Sequence, residues 1–144
     1  MAIHFFNDDI TFTLKYKRLL KEWINIIIEK HNYIVGEINF IFTSERNILL
    51  INKTYLNHTY LTDIITFPYT TDKIISSDIY ICIPVVRSNA QKYKQTFFDE
   101  LNRIMIHGVL HLLGYNDSNE DETKEMRKAE DGCLLVLKEM YNAK

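Results

Sequence analysis

Glycine and proline are scarce in this chain of 144 residues, with four of the first and two of the second. That leaves little room for long flexible loops, linkers or low-complexity tracts. Cysteine is nearly absent too. Cys82 and Cys133 lie far apart in apolar surroundings and form no C-x-x-C pair. A disulfide scaffold is thereby disfavoured, and both residues read as reduced core thiols. Long apolar runs are missing: stretches such as Trp23–Ile28 are far too short to span a bilayer. The opening residues MAIHFFNDDI lack the basic start and apolar run of a secretory leader. No membrane partner and a reducing cytoplasm are the expectation. An excess of positive charge is also missing, since 17 Lys and Arg stand against 19 Asp and Glu. Binding nucleic acid by bulk charge is therefore disfavoured, whereas a local basic face is not.

Hydrophobic residues make up 47% of the chain, enough to build one sizeable core, so a single domain over 1–144 is expected. Ile3–Phe6 reads as a first strand. Tyr16, Leu19/Leu20, Trp23 and Ile27 recur at helical spacing within Thr13–Lys30. Glu37–Phe42 alternates as a strand, and Ser44 is placed to cap a helix running to Leu56. Short strands follow at Asp63–Phe67 and Asp78–Ile83, each stopped by proline. Helices are predicted after Pro84 through Tyr93, over Phe97–Leu113, and beyond an Asn119/Glu122 capping pair, with Met126, Ala129, Cys133 and Leu137 on the apolar side. The order β-α-β-α-β-β-α-α-α implies an α+β fold: a small mixed sheet packed with several helices.

The stretch HGVLHLLGYND, residues 107–117, carries the chemistry. His107 and His111 are four apart and project from one face of the predicted helix, one turn apart, which suits two imidazoles gripping one ion. Gly114 is suited to the left-handed turn that ends a helix. Asp117, just beyond that turn, stands where a third ligand can swing back. Three protein ligands with an open fourth position is the layout of catalytic zinc. Spacing alone leaves a second reading in place, in which both histidines are half-buried and bonded to backbone or carboxylates. Position 108 is glycine, where zinc peptidases of the H-E-x-x-H type carry their general base, so peptide hydrolysis is disfavoured.

HGVLHLLGY (107–115) resembles the H-G-x-L-H-L-x-G-Y-D-H signature of the YbeY family of bacterial metal-dependent endoribonucleases. TDIITFPY (62–69) is similar to that family's T-D-V-L-S-F-P block, and SDIYI (77–81) to its G-D-I-x-I strand. The likeness extends from Glu37 to Leu137. It implies a YbeY-like fold with the metal site at the end of a central helix, and one Zn²⁺ per chain held by His107, His111 and, in place of the family's third histidine, Asp117. It also implies action on single-stranded regions of ribosomal RNA, including maturation of the 16S 3′ end. Ribosome quality control, with partners on the small subunit, is implied as well. Two further departures stand out. Leu56 falls where the family usually has an arginine lining its cleft, and Asn116 replaces its usual aspartate.

The mechanistic expectation is that the ion activates water or positions an RNA phosphate. His58 and Arg87 are the candidates to assist, His58 because histidine titrates near neutrality and Arg87 as a cation for the transition state. Asp63 and Asp78 are read as structural, or as second-sphere partners of a ligand histidine. Lys15, Lys17, Arg18 and Lys21, with Lys92 and Lys94, offer an RNA-facing surface, although such runs also form ordinary solvated faces. Two other function classes remain in view: a non-catalytic ribosome biogenesis factor with a structural metal, which Leu56 and Asp117 keep open, and another metallohydrolase such as a peptidase, which Gly108 disfavours.

Overall fold

The computed structural model describes residues 2–143, so the outermost residues of the expected domain, Met1 and Lys144, lie outside the described residues. Nine elements follow in the expected order: β1 (Ala2–Asp8), α1 (Lys17–Lys30), β2 (Ile34–Thr43), α2 (Glu45–Leu56), β3 (Ile64–Pro68), β4 (Ile74–Cys82), α3 (Ile83–Lys92), α4 (Phe97–Leu112) and α5 (Glu120–Asn142). The strands form one sheet in the order β1-β2-β4-β3, with β1, β2 and β4 parallel and β3 antiparallel on the edge. The fold is thus the α+β arrangement with a small mixed sheet.

Strand alternation divides the sheet into two faces. Ile38, Phe40 and Phe42 of β2 and Ile75, Ile79 and Ile81 of β4 join the main core with α1, α4 and α5. From α1, Leu19, Leu20, Trp23, Ile24, Ile27 and Ile28 are buried, and each such side chain contributes about 1.5–3 kcal/mol relative to exposure. The Trp23 indole N–H donates to the Cys133 carbonyl at 2.8 Å, tying α1 to α5. On the other face α2 makes a smaller core, with Ile48 and Ile51 packed against Ile65 and Cys82. Both cysteines are buried and unpaired.

Three boundaries differ from the periodic reading. The first helix starts at Lys17, because Tyr16 adopts a left-handed backbone with φ 62°, which a helix interior does not accept. The Tyr16 hydroxyl meets that of Tyr141 at 2.7 Å. Strand β2 starts at Ile34, and β4 at Ile74 rather than Asp78. The extra length comes from Ile34 and Val35 pairing with Ile74 and Ile75, ahead of an irregularity between Val35 and Ile38. Gly36 sits in that irregularity, where an added Cβ would lie 2.2 Å from Ser76 Oγ and 3.0 Å from the Ile75 carbonyl.

Helix α4 carries the histidines and is built with defined ends. Thr96 Oγ1 accepts from the Asp99 N–H at 3.1 Å, and Asp99 and Glu100 favour the positive end of the helix dipole. At the other end the Gly114 N–H donates to the His111 carbonyl and the Tyr115 N–H to the Leu110 carbonyl, with Gly114 at φ 104°. That Schellman closure is the role expected of Gly114. Gly108 faces edge strand β3: a Cβ there would stand 2.9 Å from Ile64 Cδ1. Its smallness lets α4 lie close over β3 and β4.

Candidate metal centre

His107 and His111 point from one face of α4, with ring centroids 4.6 Å apart and planes at 84°. Their Nε2 atoms are 3.1 Å apart, and Asp117 Oδ2 lies 3.5 Å from each. All three residues are at least partly open to solvent. A tetrahedral zinc with ligand bonds of 2.0–2.1 Å needs donor atoms about 3.3–3.4 Å apart. The sides of the observed triangle, 3.1, 3.5 and 3.5 Å, fall just below and just above that edge length, so this donor set fits such an ion. Asp117 is carried there by the tight turn at Gly114. Its carbonyl accepts from Thr123 Oγ1 at 3.4 Å, which ties the 113–119 loop to the first turn of α5. That helix is capped as expected, Asn119 Oδ1 accepting from the Glu122 N–H at 2.8 Å.

Behind the triangle stands a chain of charges. Glu130, on α5, places Oε2 2.6 Å from His107 Nδ1 and Oε1 2.7 Å from Arg103 Nη1. Arg103 also donates to Asp131 at 2.6 Å. A carboxylate on Nδ1 makes that nitrogen the donor and leaves the Nε2 lone pair for an ion, the arrangement that orients histidine ligands. Burial alone would lower the pKa of His107, but the hydrogen bond and charge of Glu130 outweigh it, and the pKa is raised. The reciprocal holds for Glu130, whose buried carboxyl is nevertheless kept below its ordinary value by His107 and Arg103.

A cavity of about 210 Å³ opens beside His107 and Asp117. Asn89 and Tyr93 of α3 line it, with Glu100, Arg103 and Ile104 of α4 and Thr123, Met126, Arg127 and Glu130 of α5. Asp63 lines it as well and accepts from Asn89 Nδ2 at 3.4 Å. Burial raises the pKa of Asp63, against the charge of His107.

Residues 2–138 match the family model described as endoribonuclease YbeY. This chain belongs to the YbeY family. The YbeY endoribonuclease of Amoebophilus asiaticus is 46% identical over 135 residues, covering 93% of this chain and 92% of that protein. That of Karelsulcia muelleri is 42% identical over 130 residues, covering 90% and 92%. A protein of Thermotoga maritima, solved in solution, superposes with a TM-score of 0.69 at 28% identity, covering 98% of this chain and 92% of that one. Membership of YbeY assigns the chain to RNA-cleaving hydrolases. No described helix is long and apolar enough to cross a membrane.

The other residues singled out from sequence distribute differently. Arg87 does not reach the YbeY histidines. Its guanidinium lies over the Phe97 ring, 4.7 Å from the centroid, and it lines a separate groove with Thr13, Phe98 and Tyr141. Ten residues of α4 put Phe97 about 15 Å from His107 along the helix axis. His58 is exposed outside the cavity, its ring stacked 5.0 Å from that of Tyr60 and its Nδ1 3.0 Å from the Tyr60 hydroxyl. Leu56 ends α2 and is 41% exposed. Asp78 is structural, taking hydrogen bonds from Asn39 and Tyr69. Sequence reasoning missed Glu130, Arg103, Asn89, Tyr93 and Arg127. For Glu130 a signal existed: it lies on the buried stripe Met126-Glu130-Cys133-Leu137 of α5, and an acid on such a stripe needs a partner.

Proposed function

We propose that this protein is a zinc-dependent endoribonuclease that hydrolyses single-stranded regions of ribosomal RNA. It would act in maturation of the 16S 3′ end and in ribosome quality control, with one Zn²⁺ per chain and in company with the small subunit in the cytoplasm. The observation that carries this reading is the triangle of donor atoms on His107, His111 and Asp117, at tetrahedral-edge spacing beside a cavity, in a chain of the YbeY family.

His107, His111 and Asp117 would hold the ion. Bound there, a zinc ion supplies Lewis acidity, polarising a phosphoryl oxygen and acidifying water. Glu130 holds His107 in the liganding tautomer, and Arg103 holds Glu130. Asp63, on the cavity wall with its pKa raised by burial, is suited to exchange a proton with a bound reactant. Arg87 is left out of this reading because it sits over Phe97, whereas His58 remains the proposed assisting histidine, on the segment that leads into Asp63.

The test is cleavage of a single-stranded ribosomal RNA fragment by zinc-loaded protein, repeated with a chelator and with His111→Ala, alongside metal content by mass spectrometry. About one zinc per chain, lost together with cleavage in the variant, is the expected result. Cleavage that survives both treatments would refute the reading. His58→Ala, with metal content intact, should slow cleavage if His58 assists. The reading of the chain as a non-catalytic factor draws on Leu56, and it predicts RNA binding with no cleavage at any zinc concentration.

A further inference from the structure

We propose that the cavity beside the metal triad is a subsite for one nucleotide of the RNA strand, with Arg127 holding a phosphate and Tyr93 stacking a base. This rests on the endoribonuclease reading and adds to it the residues that seat the strand.

The argument begins with charge. Asp63, Glu100, Asp117 and Glu130 all line this cavity, so a polyanion needs a cation there. Two arginines line it. Arg103 is already committed, bonded to Glu130 at 2.7 Å and to Asp131 at 2.6 Å. Arg127 is different: among the described residues no carboxylate lies within ion-pair distance of it, and it acts on Glu100 only through longer-range charge. An exposed guanidinium on a cavity wall, uncommitted to a carboxylate, is suited to a phosphate, which it can grip through two N–H groups. Its placement follows from α5. Thr123, four residues earlier on the same helix face, bonds the carbonyls of Asp117 and Asn119, which fixes this face against the loop that carries the metal ligand.

Tyr93 supplies the second observation. It caps the C-terminus of α3 on the same cavity, and 53% of it is exposed, a large aromatic surface left out of the core. Lys92 Nζ stands 5.5 Å from its ring centroid and adds positive charge at the rim. An exposed ring beside a cation is the pairing that single-stranded RNA uses, base on aromatic and phosphate on guanidinium. At about 210 Å³ the cavity is too small for a folded RNA element.

The experiment measures affinity of zinc-loaded protein for a short single-stranded 2′-O-methyl oligoribonucleotide by fluorescence anisotropy across a salt series. Arg127→Gln should weaken binding about tenfold and reduce the slope of log Kd against log salt by about 0.7, the single-strand value for one phosphate. Arg127→Lys should keep the slope. Tyr93→Ala should weaken binding about tenfold, and Tyr93→Phe should not, because stacking needs the ring and not the hydroxyl. Zinc content and melting temperature should be unchanged in all four. Wild-type affinity and slope in Arg127→Gln and Tyr93→Ala would overturn the subsite, even if chelator-sensitive cleavage stands. Undetectable binding by the wild type would also overturn it. Binding with these dependences, alongside no cleavage of the unmodified ribosomal RNA fragment, would refute the endoribonuclease reading and leave the subsite in place.

Discussion

Glu130→Gln is the substitution that most directly tests the charge chain behind the metal triangle. The two carboxylate oxygens of Glu130 both accept, Oε2 from His107 Nδ1 at 2.6 Å and Oε1 from Arg103 Nη1 at 2.7 Å. Glutamine has the same shape but one acceptor and one donor. Turned one way, its amide N–H₂ faces Arg103, and two donors oppose each other in a site only 7% exposed on the glutamate side. Turned the other way, it faces His107 and stabilises the tautomer with the proton on Nε2, the nitrogen needed for the ion. Loss of a second-sphere partner of this kind weakens metal affinity by about 10- to 100-fold, or about 1.4–2.8 kcal/mol. The metal-free protein should also lose stability, by about 1–3 kcal/mol for the unmatched buried group. For a domain of this size that corresponds to a fall of about 2–12 °C in melting temperature. Zinc affinity would be measured by competition with a fluorescent chelator, and stability by thermal unfolding of metal-free protein. Zinc binding as tight as wild type would refute the claim that Glu130 sets the tautomer of His107, whatever happens to the melting temperature.

Three further substitutions probe other parts of the structure. Gly36→Ala places a Cβ 2.2 Å from Ser76 Oγ and 3.0 Å from the Ile75 carbonyl, so it should destabilise by about 1–3 kcal/mol, and a variant as stable as wild type in urea unfolding would contradict the close strand approach. Glu100 has a pKa raised by burial, so its native state holds the proton more tightly than the unfolded chain. Its contribution is therefore full below the ordinary glutamate value and is lost as pH rises through the raised one. The melting temperature of Glu100→Gln minus that of wild type should grow as pH rises from about 4.3, and a difference flat across pH 4–7 would show that burial does not perturb this group. Leu56→Arg places a cation at an exposed helix end, 41% open, where a surface change costs within about 0.5 kcal/mol. It should raise the rate of RNA cleavage with stability unchanged, and an unaltered rate would mean that this chain does not rely on a cation at that position.

Local signals carried most of the fold. Ser44 and Asn119 cap the helices that follow them, and Gly114 closes α4, each through contacts within a few residues that a sequence displays directly. Where the reading slipped, the decisive contact was distant. Tyr16 breaks the helical register while its hydroxyl meets Tyr141 across the fold, and Ile74 joins β4 through pairing with Ile34. The same division runs through the site. His107, His111 and Asp117 were legible because one helical turn and one tight turn bring them together within eleven residues of sequence. Glu130 and Arg127 reach the site only through the packing of α5 on α4, and Tyr93 only through α3. Arg87 shows the same dependence on packing. Its position after β4 suggested a role at the cleft, but its place on α3 aims it at Phe97 and the start of α4, while Asn89 and Tyr93 on the same segment meet the cavity. A sequence with this spacing therefore identifies which atoms could hold an ion. Which groups surround those atoms and line the cavity beside them depends on how two helices separated by loops pack against α4, and this chain marks that dependence with a single acid, Glu130, on an otherwise apolar stripe.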